Sequence, residues 1–136
     1  MIRPIMHGPL FLSQPSTPAT AADKQVAMDL VDTLRANAEH CVGMAANMIG
    51  IRKRIIVINA GFMPMVLINP VITKKSGAYE AEEGCLSLAG VRKTTRYQDI
   101  DVSFQDMDFK PRQQHFSGYA AQIIQHEVDH CEGILI

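Results

Sequence analysis

Near its C-terminal end the chain reads Gln125-His126-Glu127-Val128-Asp129-His130, and no other stretch constrains the fold as strongly. Residues i and i+4 of a helix lie one above the other on one face, so His126 and His130 can share a metal ion if this segment is helical. Glu127 then projects beside that ion, where a carboxylate can take a proton from a bound water. A chance arrangement would need three residues at fixed offsets in a chain with only 5 histidines. The metal reading is therefore favoured, while the third ligand and the reaction stay open.

A ligand-bearing helix needs a scaffold, and 136 residues that are 47% hydrophobic and 20% charged are enough for one domain with its own core. Residues 1–136 are read as a single domain, because no internal repeat, low-complexity segment or linker divides them. No apolar run is long enough to span a bilayer, so no membrane partner is expected. Pro4, His7, Gly8 and Pro9 interrupt any signal-peptide core between Met1 and Leu12. A net charge of -1 without a basic run leaves no electrostatic footprint for nucleic acid. Cys41, Cys85 and Cys131 are odd in number and irregular in spacing, which fits a reducing cytoplasm and a thiol kept for chemistry better than a disulfide framework.

Four prolines in the first twenty residues predict extended chain wrapping the domain. Thr20 and Asp23 resemble a capping box, and Val26, Leu30, Val31 and Leu34 recur at helical spacing, which predicts a helix from about Ala21 to Ala38 with a core-facing stripe. The small residues of Cys41-Val42-Gly43-Met44-Ala45-Ala46-Asn47-Met48 let backbone approach something closely. Ile55 to Ile58 and Met65 to Ile68 read as neighbouring strands, the second ended by Pro70, with a further turn at Ser76-Gly77. Ile100, Val102 and Phe104 alternate with Asp101, Ser103 and Gln105 as a strand with one wet face. Lys110-Pro111 marks a turn, Ser117-Gly118 opens the final helix, and Gly133 closes it. Tyr119, Ile123 and Ile124 are expected to pack inward beside the two histidines.

A third ligand is offered by Glu83-Gly84-Cys85-Leu86-Ser87, because a thiolate binds metals strongly and Gly84 lets the backbone bend toward the helix. Taken alone, Cys85 reads rather as a small buried thiol in a strand, the common fate of a free cysteine. The combination of Glu-Gly-Cys-Leu-Ser with Gln-His-Glu-x-Asp-His is specific, and with it the sequence resembles the peptide deformylase family over most of its length. The expected fold is α+β: antiparallel strands packed around a C-terminal helix carrying the metal motif, plus one N-terminal helix. The resemblance implies metal ligands at Cys85, His126 and His130 and a general acid/base at Glu127. It also implies Fe(II) as cofactor, with Zn(II), Ni(II) or Co(II) able to take the site.

The activity implied is hydrolysis of the N-formyl group from the formyl-methionine of nascent polypeptides, a step of N-terminal processing in protein biosynthesis. Hydroxide formed at the metal attacks the formyl carbon, Glu127 moves the proton, and the Leu86 backbone N–H steadies the oxyanion. Three protein ligands leave the open position that such a catalytic site requires. An extended peptide is expected along Gly43 and Gly84, with Val42, Tyr119 and Ile123 walling an apolar pocket for methionine. Glu83, Arg92 and Asp129 are candidates to hold the ligand histidines. N-formylmethionyl peptides are the implied partners, with transient ribosome association.

The departures from the family pattern carry their own expectations. Its first motif usually reads Gly-x-Gly-x-Ala-Ala-x-Gln, and here Cys41 replaces the first glycine and Met48 the glutamine whose amide helps hold the oxyanion. A thioether has no donor, so activity is expected to be reduced unless Asn47 or an ordered water substitutes. Ala89 stands where the family often has proline, and the chain stops at Ile136, short of the extension that longer members carry. Two other readings are an impaired metalloprotein that binds formyl-Met or Met peptides, and a cysteine hydrolase with Cys85 as nucleophile.

Overall fold

The structure is a computed structural model that describes residues 1–60, 63–85 and 88–135. Its centre is β2 (Ile55–Ala60), where Ile55, Ile56, Val57 and Ile58 are all buried. A strand buried on both faces needs cover on both, and helices α2 (Lys24–Ala36) and α3 (Gly118–Cys131) each pack against it. With β1 (Gly43–Ala45), β3 (Met63–Cys85), β4 (Leu88–Gln105) and β5 (Pro111–Ser117) it forms one sheet in the order β1-β2-β3-β4-β5. Every neighbouring pair is antiparallel. The architecture is thus α+β, with the sheet wrapped on the C-terminal helix.

Some expected boundaries fall elsewhere. The N-terminal region is not wholly extended: Pro9–Leu12 forms a short helix, α1, whose first position tolerates proline because its N–H would be unpaired there anyway. A 3-10 turn at Ala21–Asp23, with the Thr20 N–H donating to the Asp23 carboxylate at 2.9 Å, leads into α2, which stops at Ala36. Pro70 does not end its strand. Asn69 takes φ 52 and the register shifts between Ile68 and Val71, so the missing N–H of Pro70 falls in a bulge. The Asn69 side chain also ties the sheet to the N-terminal chain, accepting from Ala19 N at 2.7 Å and donating to Ala19 O at 3.0 Å.

Nor does the chain turn at Ser76-Gly77. Gly77 adopts φ 75, a conformation open to glycine, and the ladder keeps one register across it, pairing Ser76 with Asp99 and Ala78 with Tyr97. The reversal comes between Cys85 and Leu88, so β3 and β4 make one long hairpin that delivers Cys85 to α3. The turn expected at Lys110-Pro111 lies just before it, closed by Asp106 N to Lys110 O at 3.1 Å, and Pro111 opens β5. On α3, Ile123 and Ile124 are buried, whereas Tyr119 is 63% exposed rather than packed inward. Gly133, with φ 77, follows the end of that helix.

Candidate metal centre and pocket

His126 and His130 stand one turn apart on α3, and their Nε2 atoms lie 3.2 Å from each other. Cys85 Sγ, carried in by the end of β3, is 3.3 Å from His130 Nε2, and the three donor atoms fall within 4.8 Å of one another. The His126 Nδ1–H donates to Glu83 Oε1 at 2.8 Å, which leaves Nε2 as the ring nitrogen that faces the other two donor atoms. One sulfur and two imidazole nitrogens brought this close are the donor types that a soft or borderline divalent metal takes, so the set fits such an ion.

The support behind His126 is an ionic network. Arg96, 3% exposed, reaches both Glu83 oxygens through Nε, at 3.1 and 2.9 Å, and Oε1 again through Nη2 at 2.6 Å. Its Nη1 donates to Asp129 Oδ2 at 2.6 Å. Burial works against a charged Glu83, but hydrogen bonds from His126, Arg96 and Gln122 hold its carboxyl down at about 2. Burial likewise works against a charged His126, yet Cys85, Glu127 and Glu83 raise it to about 10. A metal ion taking this imidazole therefore displaces a proton.

Glu127 is 4% exposed, and its Oε1 has no hydrogen-bond partner among the described residues. Burial pushes its carboxyl up to about 7; His126 pulls it down while Glu83 pushes further up. It borders a pocket of about 310 Å³ whose lining also includes Cys85, Val42, Gly43, Gly84, Tyr119 and Ile123. Gly43 is required where it stands, because a Cβ there would lie 2.5 Å from Ile123 Cγ2 and 3.1 Å from Glu127 Oε2. Only a bare backbone lets β1 pass this close to α3.

Residues of β1 and its flanks add a thioether and a second thiol to the lining. Met48 lines the pocket, fully buried, with its thioether accepting the Ala45 N–H at 3.4 Å. Asn47 is not part of the pocket lining, and its Nδ2 donates to the His130 carbonyl at 2.9 Å. Cys41 donates its thiol to the Gly43 carbonyl at 2.8 Å, and burial pushes that thiol up to about 12.

Of the side chains expected to hold the histidines, Glu83 and Asp129 lie in the network. The arginine that joins them is Arg96, whereas Arg92 is the ladder partner of Glu83 on β4. Leu86, whose backbone N–H the resemblance implicates, lies outside the described residues. Sequence reasoning missed Arg96 and Gln122; the signal available for Gln122 was its place four residues before His126, on the same helical stripe.

The profile of the polypeptide deformylase family matches residues 3–136. A peptide deformylase of Clostridium beijerinckii is 57% identical over 136 residues, covering 100% of both chains. One of Pelotomaculum thermopropionicum is 42% identical over 109 residues, 78% of this chain and 70% of its own. Among solved structures, the Met-Ala-Ser-bound class I type b peptide deformylase of Acinetobacter baumannii superposes with a TM-score of 0.89 at 27% identity, covering 99% of this chain and 97% of that one. The Thermotoga maritima peptide deformylase gives 0.87 at 31% identity, covering 99% and 94%. With its Cys-His-His cluster set in this fold, the chain belongs to the polypeptide deformylase family.

Proposed function

We propose that residues 1–136 act as one cytoplasmic catalytic domain that removes the formyl group from the formyl-methionine of nascent polypeptides and releases formate. The observation that carries this reading is the convergence of Cys85, His126 and His130 beside a buried Glu127 whose Oε1 has no partner among the described residues. Peptide deformylases are metalloenzymes, and here Cys85, His126 and His130 would hold one divalent ion, Fe(II) by family expectation, with Zn(II), Ni(II) or Co(II) as alternatives. When bound, that ion supplies a Lewis acid and lowers the pKa of water toward neutrality.

The protein groups do the rest. Glu127, buried beside the ligands with Oε1 unpartnered among the described residues, can accept a proton and return it to the leaving amine. Arg96 and Glu83 keep His126 in the tautomer that presents Nε2. Val42 O accepts from Asn59 N at 2.9 Å, so alternation along β1 turns the Gly43 N–H and C=O away from β2. An extended peptide can pair with that free edge, displacing the Cys41 thiol from the Gly43 carbonyl. Val42, Tyr119 and Ile123 then border the methionine side chain, Gly84 lies alongside, and the Leu86 N–H is the proposed backbone donor to the oxyanion.

Met48 favours a second reading, a sluggish or non-catalytic metalloprotein that binds formyl-Met or Met peptides, since the wall facing the carbonyl lacks an amide donor. Anaerobic incubation of the Fe(II)- or Ni(II)-loaded protein with formyl-Met-Ala-Ser separates the two. Stoichiometric formate in repeated turnovers supports the hydrolase; peptide binding without formate supports the second reading.

A further inference from the structure

Gln122 rises from α3 one turn before His126, and its amide is held at both ends. Its Nε2 donates to Glu83 Oε2 at 3.0 Å, and the Tyr79 hydroxyl of β3 donates to its Oε1 at 3.3 Å. This pair of bonds sets the direction of the amide, because a flipped Gln122 would turn its oxygen against the Glu83 carboxylate. Glu83 uses its other oxygen, Oε1, to accept His126 Nδ1–H. Rotation of the carboxylate would carry Oε1 away from the imidazole, and a donor fixed on Oε2 resists it. Gln122 also lines the pocket, beside Glu83 and His126.

We infer that Gln122, itself oriented by Tyr79, is a positioning residue for His126 acting through Glu83, so that the pocket wall and the support of a metal ligand share one side chain. The inference rests on the metal-site reading above and adds residues to it. Tyr79 and Glu83 lie on the same face of β3, four residues apart, and Gln122 and His126 hold the corresponding spacing on α3. The four side chains thus link hairpin to helix in one chain of hydrogen bonds running from Tyr79 to the imidazole.

Co(II) is the probe, with affinity read by chelator competition and ligand geometry read from the visible absorption of the bound ion. Gln122→Met keeps the length of the wall but removes both hydrogen bonds; it should weaken Co(II) binding about tenfold, the low end for loss of an outer-shell support, and alter the spectrum. Tyr79→Phe should move both readouts in the same direction by a smaller factor, and decides the matter if Gln122→Met does not fold. Unchanged affinity and spectrum in the folded variants, even with a lowered Tm, overturns the inference. A wild-type chain that fails to bind Co(II), or binding that survives Cys85→Ser, overturns the metal-site reading instead.

Discussion

Two walls line the pocket, and they differ in kind. The wall built by β3 and α3 is a filled polar network: Glu83 accepts from Arg96, Gln122 and His126, and Arg96 also binds Asp129. The wall built by β1 and the turn after it offers Cys41 and Met48, one thiol already spent on the Gly43 carbonyl and one thioether without a donor. Under the proposed function, holding a metal ion and moving a proton fall to the first group of residues, and polarising the substrate carbonyl falls to the second, which has no amide donor to give. Metal affinity and turnover should respond to different substitutions.

The largest effect is expected from Cys85→Ser or His126→Ala, each of which should abolish tight metal binding and formate release together, as read by metal analysis after gel filtration. Glu127→Gln should break that link, lowering formate release by about 10²–10⁴-fold while metal content stays at the wild-type value. Loss of metal from this variant would mean that Glu127 holds the ion rather than the proton. Met48→Gln probes the other wall: it should raise kcat by about 10²–10³-fold, the usual worth of one oxyanion donor, with metal affinity unmoved. An unchanged kcat would erase the contrast between the walls.

The smallest effect lies away from both. Asp29, 1% exposed on α2, meets the Met1 amine at 2.9 Å and Arg3 at 3.0 and 2.9 Å. Burial opposes its charge, but the amine, Gln25 and Arg3 lower its carboxyl to about 2. A depressed carboxyl stabilises the fold above its unfolded value near ~4 and loses that contribution as pH falls toward 2. Chemical denaturation between pH 5 and 2 should therefore show a downward slope that Asp29→Asn flattens, with no change in metal affinity at pH 7.

What could be read from the residues follows the same physics. Helix α3 was legible because two ligands, a base and the apolar Ile123 and Ile124 all obey one helical period. Cys85 was not legible by itself, since a lone thiol after a glycine reads as core; only Glu83-Gly84-Cys85-Leu86-Ser87 taken together with the helix motif singled it out. The long hairpin was misread at Pro70 and Gly77, both ordinarily punctuation, because the ladder absorbs each: a bulge takes the proline and a left-handed glycine stays in register. Strand β5 gave no signal, since Phe116 is its one buried residue. Arg92 and Arg96 share a face of β4, and their order in sequence favours the one nearer Cys85. Which of them reaches Glu83 and Asp129 depends on where α3 crosses the hairpin, and that is tertiary geometry.

The central claim is that one metal ion, held by Cys85, His126 and His130, is what makes this chain a hydrolase. Metal-stripped protein titrated anaerobically with Fe(II), with formate release from formyl-Met-Ala-Ser followed at each addition, tests it most directly. The rate should start at zero, rise in proportion to added metal and level off at one ion per chain. Formate release by the stripped protein, or a rate indifferent to added metal, would contradict it.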